Sequence, residues 1–497
     1  MSSGRQLIHA SLWNLLGQGL PLVVAVASIP ALIHYIGLER FGFIALAWVL
    51  IGYASLFDLG MGRAVIRTVS AYLARGDAPG ALASGRTGLS LLVAFGLLMG
   101  TLTLAFTPAL VANVLMVPPG LRQEAERALQ VLALSLPVVM LTSGYVGVLS
   151  AHLAFRTLNL VRAFFSVLSY LLPLAVAAAG WVSLPAVVGT IVLLRVGGAV
   201  AYAVACRREA GFGWALQRPD RQRARELLAL GGWMSVSNLL GPLLGHMDRL
   251  LIGALVPLRS VGIYAAPYDL VTRLMVIPYA LVAAFFPMAS ALVPGTPQVD
   301  RALRDITRYL FLIMFPVMLV IMALANPAMR LWLGPEIGAQ AGEVLQILAV
   351  GVLLNALAQG PATLIQAVGR PRDMALLHLL ELPLFLLLLW ALTVRWGITG
   401  TALAATLRFA VDALAVFVLA QRGLRTPPLP WRSALVPALA VVSLMGLSPA
   451  CRTWPAAMGL ALGGCGLFLA YGWLALLKPR ERARIRGLWP ARWRLVR

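Results

Sequence analysis

Charged side chains are scarce in this 497-residue chain. They make up 12% of the residues, whereas 60% are hydrophobic; an average soluble domain carries about 25% charged residues. Lysine occurs once, as Lys478, so that 39 of the 40 basic side chains are arginines. A soluble fold of this size could not bury so much apolar surface, and we therefore expect a protein that spans a lipid bilayer.

The chemistry of several protein classes is also missing. A Walker A loop needs a lysine followed by serine or threonine, but Lys478 is followed by Pro479. There is no H-E-x-x-H motif and no dinucleotide fingerprint attached to a soluble domain. The cysteines Cys206, Cys451 and Cys465 are scattered and predict neither a metal site nor a disulfide framework. We expect no enzyme activity, no cofactor and no metal ion.

About fourteen apolar runs approach the roughly 20 residues that a membrane-spanning helix needs. They cover 10–36, 42–62, 88–111, 128–151, 160–179, 184–206, 230–256, 261–292, 307–326, 344–368, 374–394, 397–420, 433–449 and 456–477. Several contain proline, which a membrane helix tolerates when its neighbours satisfy the freed carbonyl group. The chain is therefore predicted to be an all-α polytopic membrane protein.

Arginine in the loops predicts the orientation. With both termini in the cytoplasm, the cytoplasmic segments hold 29 basic residues and the outside loops hold 7, as the positive-inside rule requires. The net charge of +22 therefore belongs to loops and does not indicate nucleic-acid binding. The basic tail 478–497, with Trp489 and Trp493, is expected to lie on anionic membrane lipids.

Three short matches in the same order indicate an internal repeat. The matched pairs are Asn14–Gly17 with Asn238–Gly241, Leu38–Gly42 with Leu258–Gly262, and Leu194-Arg195 with Leu407-Arg408. Parallel repeats are typical of transporters, which bind their substrate between the halves. Ala25-Val26-Ala27 resembles a signal-peptidase site, but the repeat that begins in the first span argues against cleavage there.

The repeat predicts the domain organisation. We expect a six-helix bundle over 1–206, a cytoplasmic linker over 207–226, a second six-helix bundle over 227–421, two further helices over 422–477 and a basic cytoplasmic tail over 478–497.

Several motifs carry a family resemblance over residues 8–421. They are Ile36–Gly42, Leu56–Gly62, Asp248 with Val261–Tyr264, Ala367–Arg370 and Trp396–Gly400. In this order and spacing they resemble the polysaccharide-export branch of the multidrug/oligosaccharidyl-lipid/polysaccharide (MOP) exporters. The resemblance implies two bundles in a V around a central cavity, as in the MATE exporters, with two additional C-terminal helices. It also implies a Wzx-type flippase in the bacterial inner membrane.

That resemblance implies a substrate and partners. The substrate would be an oligosaccharide linked to undecaprenyl pyrophosphate, for O-antigen or exopolysaccharide synthesis. Membrane lipids, a polysaccharide polymerase and glycosyltransferases would be partners, and nucleic acid would not. A lipid II flippase and a multidrug exporter are alternatives within the same superfamily. A membrane glycan polymerase or ligase is a weaker alternative, because such an enzyme usually needs a large outside loop with catalytic residues, and no such loop is visible.

Charged residues deep in the spans are the candidate site, because an ionised side chain at the bilayer centre costs about 2.5–3.5 kcal/mol or more. Guanidinium groups bind phosphate bidentately. The candidates for substrate binding are Arg195, Arg249, Arg273, Arg408, Asp248 and Asp269, with Asp58 at the inner mouth. Each candidate could instead be structural: Asp269 with Arg273, and Arg408 with Asp412, have the spacing of ion pairs on one helix face.

A second candidate function is ion coupling. His378 and Glu381 lie three residues apart and could share a proton, and Asp412 is the third candidate. A His–Glu pair is more often structural than functional, so both readings stay open. Coupling to protons, to sodium or to the membrane potential is compatible with this sequence.

Overall fold

The structure is a computed structural model that describes most of the chain as helix. The described residues are 24–54, 61–212, 220–225, 227–228, 247–290, 295–368, 370–424, 446, 451–479 and 481–482. Over these ranges the chain contains no β-strand. The predicted all-α class is confirmed, as expected where no water is present to satisfy backbone groups outside a helix or closed barrel.

Fourteen helices are numbered within the described ranges. They are α1 (Val24–Ile36), α2 (Leu38–Ala54), α3 (Met61–Ala74), α4 (Ala78–Ala109), α5 (Arg122–Ala151), α6 (Phe155–Ala178), α7 (Leu184–Ala210), α8 (247–255), α9 (Leu258–Arg273), α10 (Val276–Ser290), α11 (Pro297–Leu333), α12 (Pro335–Ala367), α13 (Pro371–Leu424) and α14 (Trp454–Tyr471). The helices α4 and α14 each continue into a π-helical turn, at Leu110–Val114 and Gly472–Leu476.

Eight described helical segments are long and apolar enough to cross a membrane. They are Ala78–Val114, Pro119–Ala151, Phe155–Ala178, Leu184–Ala210, Pro297–Leu333, Pro335–Ala367, Arg372–Arg422 and Trp454–Leu476. These segments contain nine of the fourteen predicted runs to within one residue, since Arg372–Arg422 holds two. The predicted runs 10–36 and 230–256 are described only in part, and 433–449 only at Gly446.

Helix α13 reverses direction at Gly397. This residue has φ 58° and ψ −136°, a conformation that glycine adopts without steric cost. Thr393 and Thr401 are eight residues apart, which is about 12 Å along a straight helix, yet their hydroxyl oxygens lie 2.9 Å apart. The segment therefore forms two antiparallel helices, as the two separate predicted runs required.

The predicted run 261–292 is not a single uninterrupted helix. Helix α9 ends at Arg273, and α10 begins at Val276 after a turn at Leu274 and Met275. Pro278 explains the break, because proline has no N–H for the carbonyl four residues earlier and its ring clashes with that carbonyl. Apolar composition alone does not reveal this interruption.

The chain divides into two compact units. One contains residues 1–266 and 382–401, and the other contains 267–381 and 402–497. In the first unit, α5 packs against α4 and α7, and α6 packs on α7. The predicted domain limits at 206, 226, 421 and 477 stay predictions.

The second unit is built on the pair α11 and α12, with α10 packed against both. Helix α14 also packs on α11. The ring centroid of Phe468 on α14 lies 4.7 Å from that of Phe315 and 5.5 Å from that of Phe311. The predicted extra helix is thus joined to its unit by aromatic packing, which stabilises beyond the area buried.

We expect close packing of α4 on α5 to depend on Gly96. A Cβ atom at this position would collide with the backbone of Pro137 and would lie 3.1 Å from the carbonyl oxygen of Leu136. Gly96→Ala should therefore destabilise the fold by about 1–3 kcal/mol through overpacking. The measurement is the midpoint of thermal unfolding in detergent.

Gly189→Ala is the matched control, because no atom lies within 4 Å of a Cβ built at Gly189. It should leave the midpoint unchanged, or raise it slightly, since alanine favours the helix over glycine by up to about 1 kcal/mol in free energy. Equal midpoints for the Gly96 and Gly189 variants would show that α4 and α5 do not need this close approach.

Candidate functional site

Arg195 lies near the middle of α7 and is exposed. It makes no hydrogen bond and no ion pair within the described part of the chain. Its charge interacts at longer range with Tyr170 and Tyr202. An arginine at this depth without a carboxylate partner requires water or a ligand to compensate its charge.

The exposure of Arg195 is not on the lipid-facing side of α7. Leu193, Val196 and Val200 are the exposed apolar residues of this turn of the helix. At about 100° per residue, Arg195 lies between roughly 100° and 160° around the axis from each of them.

The side that Arg195 occupies is otherwise buried. The residues at i−4, i+4 and i+7, which share its helix face, are Ile191, Ala199 and Tyr202, and all three are buried. Arg195 is therefore accessible from the side of α7 that packs against protein.

Arg408 occupies the matching repeat position, on the second helix of α13. It is half-buried, and its guanidinium carbon lies 4.3 Å from the ring centroid of Phe409. It also interacts electrostatically with Glu381 and Tyr279. Arg195 belongs to the first compact unit and Arg408 to the second.

The spacing of Arg408 and Asp412 on one helix face is compatible with an ion pair, which stays a prediction. The structure shows His378 beside Asp412, with His378 Nε2 3.6 Å from Asp412 Oδ1. Sequence spacing pointed to Arg408, on the same helix as Asp412. The reversal at Gly397 additionally brings His378 to Asp412 from the preceding helix. Glu381 lies beside both, and one donor atom from each of the three residues falls within 4.8 Å of the others.

Asp248 and Arg249 are almost completely buried on α8, at 2% and 3% exposure. The Tyr264 hydroxyl donates to Asp248 Oδ2 at 2.7 Å, and the Arg249 backbone N–H donates to Asp248 Oδ1 at 2.8 Å. Asp248 therefore ties α8 to α9 in this conformation. A substrate-binding role for Asp248 and Arg249 stays a prediction.

The remaining predicted residues are less informative. Asp269 and Arg273 lie one turn apart on α9, and both are partly exposed. Asp58 lies outside the described residues. Substrate binding by all three stays a prediction.

Sequence reasoning missed a bidentate ion pair between Arg40 and Glu124. The Arg40 Nε and Nη2 atoms donate to the two carboxylate oxygens at 3.0 and 2.9 Å, and the Leu184 N–H donates to Glu124 Oε2 at 3.1 Å. These residues begin α2, α5 and α7. Three loops that were predicted to lie outside therefore share one side of the molecule.

A second polar cluster links segments that were predicted to be cytoplasmic. Arg308 donates to Glu481 at 2.8 Å, the Tyr309 hydroxyl donates to Glu481 at 2.6 Å, and Lys478 pairs with Asp305 at 2.6 Å. The start of α11 and the residues after α14 therefore also share one side. This agreement supports the alternation of the predicted loops.

Two glycines from the predicted repeat face each other. A Cβ atom on Gly42 would collide with the carbonyl oxygen of Leu258, and one on Gly262 would lie 3.0 Å from the carbonyl oxygen of Leu38. The Leu38–Gly42 and Leu258–Gly262 segments thus contact each other reciprocally, as expected for repeats related by a pseudo-twofold axis.

Comparison with known proteins agrees with these features. A family model described as polysaccharide biosynthesis protein matches residues 35–336. A Shigella flexneri protein named as an O-antigen transporter is 28% identical over 411 residues, which cover 82% of this chain and 96% of that protein. The names of this relative and of the solved structures below are those of transporters and flippases, in line with the prediction that the chain is not an enzyme.

Solved structures share the fold. The lipid II flippase MurJ in an inward closed conformation has a TM-score of 0.73 at 13% identity, over 94% of this chain and 98% of that one. An inward-facing MATE family multidrug resistance transporter of the MOP superfamily has a TM-score of 0.68 at 14% identity, over 83% of this chain and 98% of that one. The fold is therefore that of the MOP exporters. Since the family model covers more than half of the chain, the protein belongs to the polysaccharide biosynthesis protein family.

Proposed function

We propose that this protein flips a lipid-linked oligosaccharide across the bacterial inner membrane by alternating access. The lipid carrier would be undecaprenyl pyrophosphate, and the product would feed O-antigen or exopolysaccharide assembly. The membership of the polysaccharide biosynthesis family and the name of the Shigella flexneri relative support this proposal. A polysaccharide polymerase and glycosyltransferases are the proposed partners in the same membrane.

The position of Arg195 is the observation that carries the proposal. An exposed guanidinium without a partner among the described residues, on the protein-facing side of a membrane helix, is costly unless it binds something. Its permanent charge and planar fork suit phosphate oxygens. A pyrophosphate would replace part of the hydration that the arginine loses in the membrane.

The same observation disfavours a cationic substrate at this position. A drug cation near Arg195 would meet a like charge in a medium of low dielectric constant. Carboxylates would suit such a substrate better, and no carboxylate contacts Arg195 within the described ranges.

Orientation is part of the proposal. The cluster formed by Arg308, Glu481 and Lys478 would face the cytoplasm, and the pair Arg40–Glu124 would face the outside, because the loops with most arginine remain inside. Coupling to a proton or sodium gradient, or to the membrane potential, is the proposed source of energy for transport against a gradient.

Reconstitution tests the proposed activity. Purified full-length protein in vesicles should move an undecaprenyl-pyrophosphate-linked oligosaccharide between leaflets, as measured with a glycan probe that reaches only the outer leaflet. Empty vesicles are the control. Movement of ethidium without glycan movement would support a multidrug exporter instead, and glycan polymerisation by the purified protein would support an enzyme.

Arg195 should be needed for this movement. Arg195→Gln removes the charge while keeping a polar side chain. It should lower the flipping rate by roughly 10–150-fold, because hydrogen bonds to charged groups contribute about 1.5–3 kcal/mol. Arg195→Lys should recover part of the activity, because lysine keeps the charge without the planar fork. The measurement is the initial flipping rate per inserted protein.

Arg122→Gln is the matched control, because Arg122 is exposed at the start of α5 and lies outside the proposed site. It should flip at the wild-type rate. Equal rates for the Arg195→Gln, Arg122→Gln and wild-type proteins would place the head-group site elsewhere, at Arg249, Arg273 or Arg408.

A further inference from the structure

His378, Glu381 and Asp412 converge from two antiparallel helices of α13. His378 and Glu381 lie on the helix before Gly397, and Asp412 lies on the helix after it. One donor atom from each residue lies within 4.8 Å of the other two. Because 34 residues separate His378 from Asp412 in the sequence, only the reversal at Gly397 creates this cluster.

The two carboxylates are buried without adequate partners. Glu381 is 6% exposed and Asp412 is 7% exposed. Among the described residues, neither carboxylate oxygen of Glu381 has a hydrogen-bond partner, and Asp412 Oδ1 has none. Buried polar groups are almost always hydrogen-bonded, so two such carboxylates together indicate that a cation belongs between them.

Arg408 supplies only part of the missing positive charge. It lies one turn before Asp412 and interacts electrostatically with Glu381 and with Tyr279 on α10. When both carboxylates are ionised and the imidazole is neutral, the single guanidinium leaves a net charge of −1. A bound cation would compensate this remaining charge.

The donor set fits a transition-metal ion, and one of its three spacings is that of neighbouring ligands. A tetrahedral zinc-like ion binds nitrogen and carboxylate oxygen at about 2.0–2.2 Å, which places neighbouring donor atoms about 3.3–3.6 Å apart. The distance of 3.6 Å from His378 Nε2 to Asp412 Oδ1 falls at the upper end of this range. The same distance is too long for a directly shared proton, and three donors are too few for calcium, which takes six to eight oxygen ligands.

We propose that His378, Glu381 and Asp412 form a binding site for a divalent transition-metal ion. The imidazole Nε2 and one oxygen from each carboxylate are the protein ligands, and water completes the coordination. The His378 side chain is 31% exposed, so the cluster is not sealed within the protein. The sequence predicted no metal ion, because the three ligands are too far apart in the chain to form a recognisable motif.

The surrounding helices hold the ligands in place. Met374, four residues before His378, and Val416, four residues after Asp412, are both buried in the core that α10, α11 and α12 complete. Both helices of the cluster are thus anchored one turn from the ligands. A metal ion here would fasten the two helices to each other.

Cobalt binding tests the proposal without any transport measurement. Full-length protein is purified in detergent without a polyhistidine tag, stripped of metal with a chelator and titrated with Co²⁺, whose visible absorption reports coordination. We expect saturable binding of one ion per chain, displacement by Zn²⁺, and weaker binding at low pH because protons compete for all three ligands. His378→Gln, Glu381→Gln and Asp412→Asn should each weaken binding by about tenfold or more, since loss of even an outer-shell partner costs 10–100-fold.

Asp373→Asn is the matched control. Asp373 lies on the same helix as His378, but its carboxylate is paired with Arg370 at 2.7 Å. This variant should bind Co²⁺ like the wild type, and Co²⁺ should raise the thermal unfolding midpoint of both proteins but not of the three ligand variants. Absence of saturable binding to the wild type would overturn the proposal, and so would equal binding by the three variants. Because the readout is binding, a failed flipping assay would not affect the result.

Discussion

The cost of charge inside a bilayer is the constraint that organises this molecule. Most of its arginines lie in loops, and some of the described ones there pair with carboxylates, as in Arg40–Glu124 and Arg308–Glu481. Two charged side chains inside the spans differ, and both lie on the protein-facing sides of their helices. Arg195 has no partner in the described part of the chain, and Glu381 has no donor there. These two positions, one cationic and one anionic, are where the protein can exchange hydration for a ligand.

Hydrophobic length was sufficient to predict most of the fold. An apolar run that crosses a membrane can satisfy its backbone groups by forming a helix. The predicted runs 184–206 and 344–368 accordingly lie within α7 and α12, to within one residue. The turn at Leu274 and Met275 was not predicted, because it depends on the hydrogen bond that Pro278 cannot make rather than on composition.

The candidate site was predictable by residue but not by partner. Depth in a span identified Arg195, Glu381 and Asp412, since rare membrane charges can be recognised from sequence alone. Their partners depend on which helices meet. The i,i+4 rule proposed Arg408 for Asp412, and the reversal at Gly397 additionally brings His378 beside it. The Arg40–Glu124 pair was missed for the same reason, since 84 residues separate its members.

Water access beside Arg195 is the central claim, and cysteine labelling measures it most directly. In a variant whose three native cysteines are replaced, Arg195→Cys is compared with Leu193→Cys, which lies at nearly the same depth but faces lipid. Only a thiolate reacts, and a thiol ionises where water reaches it. A membrane-impermeant maleimide should therefore label the Arg195→Cys protein and leave the Leu193→Cys protein unlabelled. Labelling of neither position, or of both equally, would contradict a water-accessible site on the protein-facing side of α7.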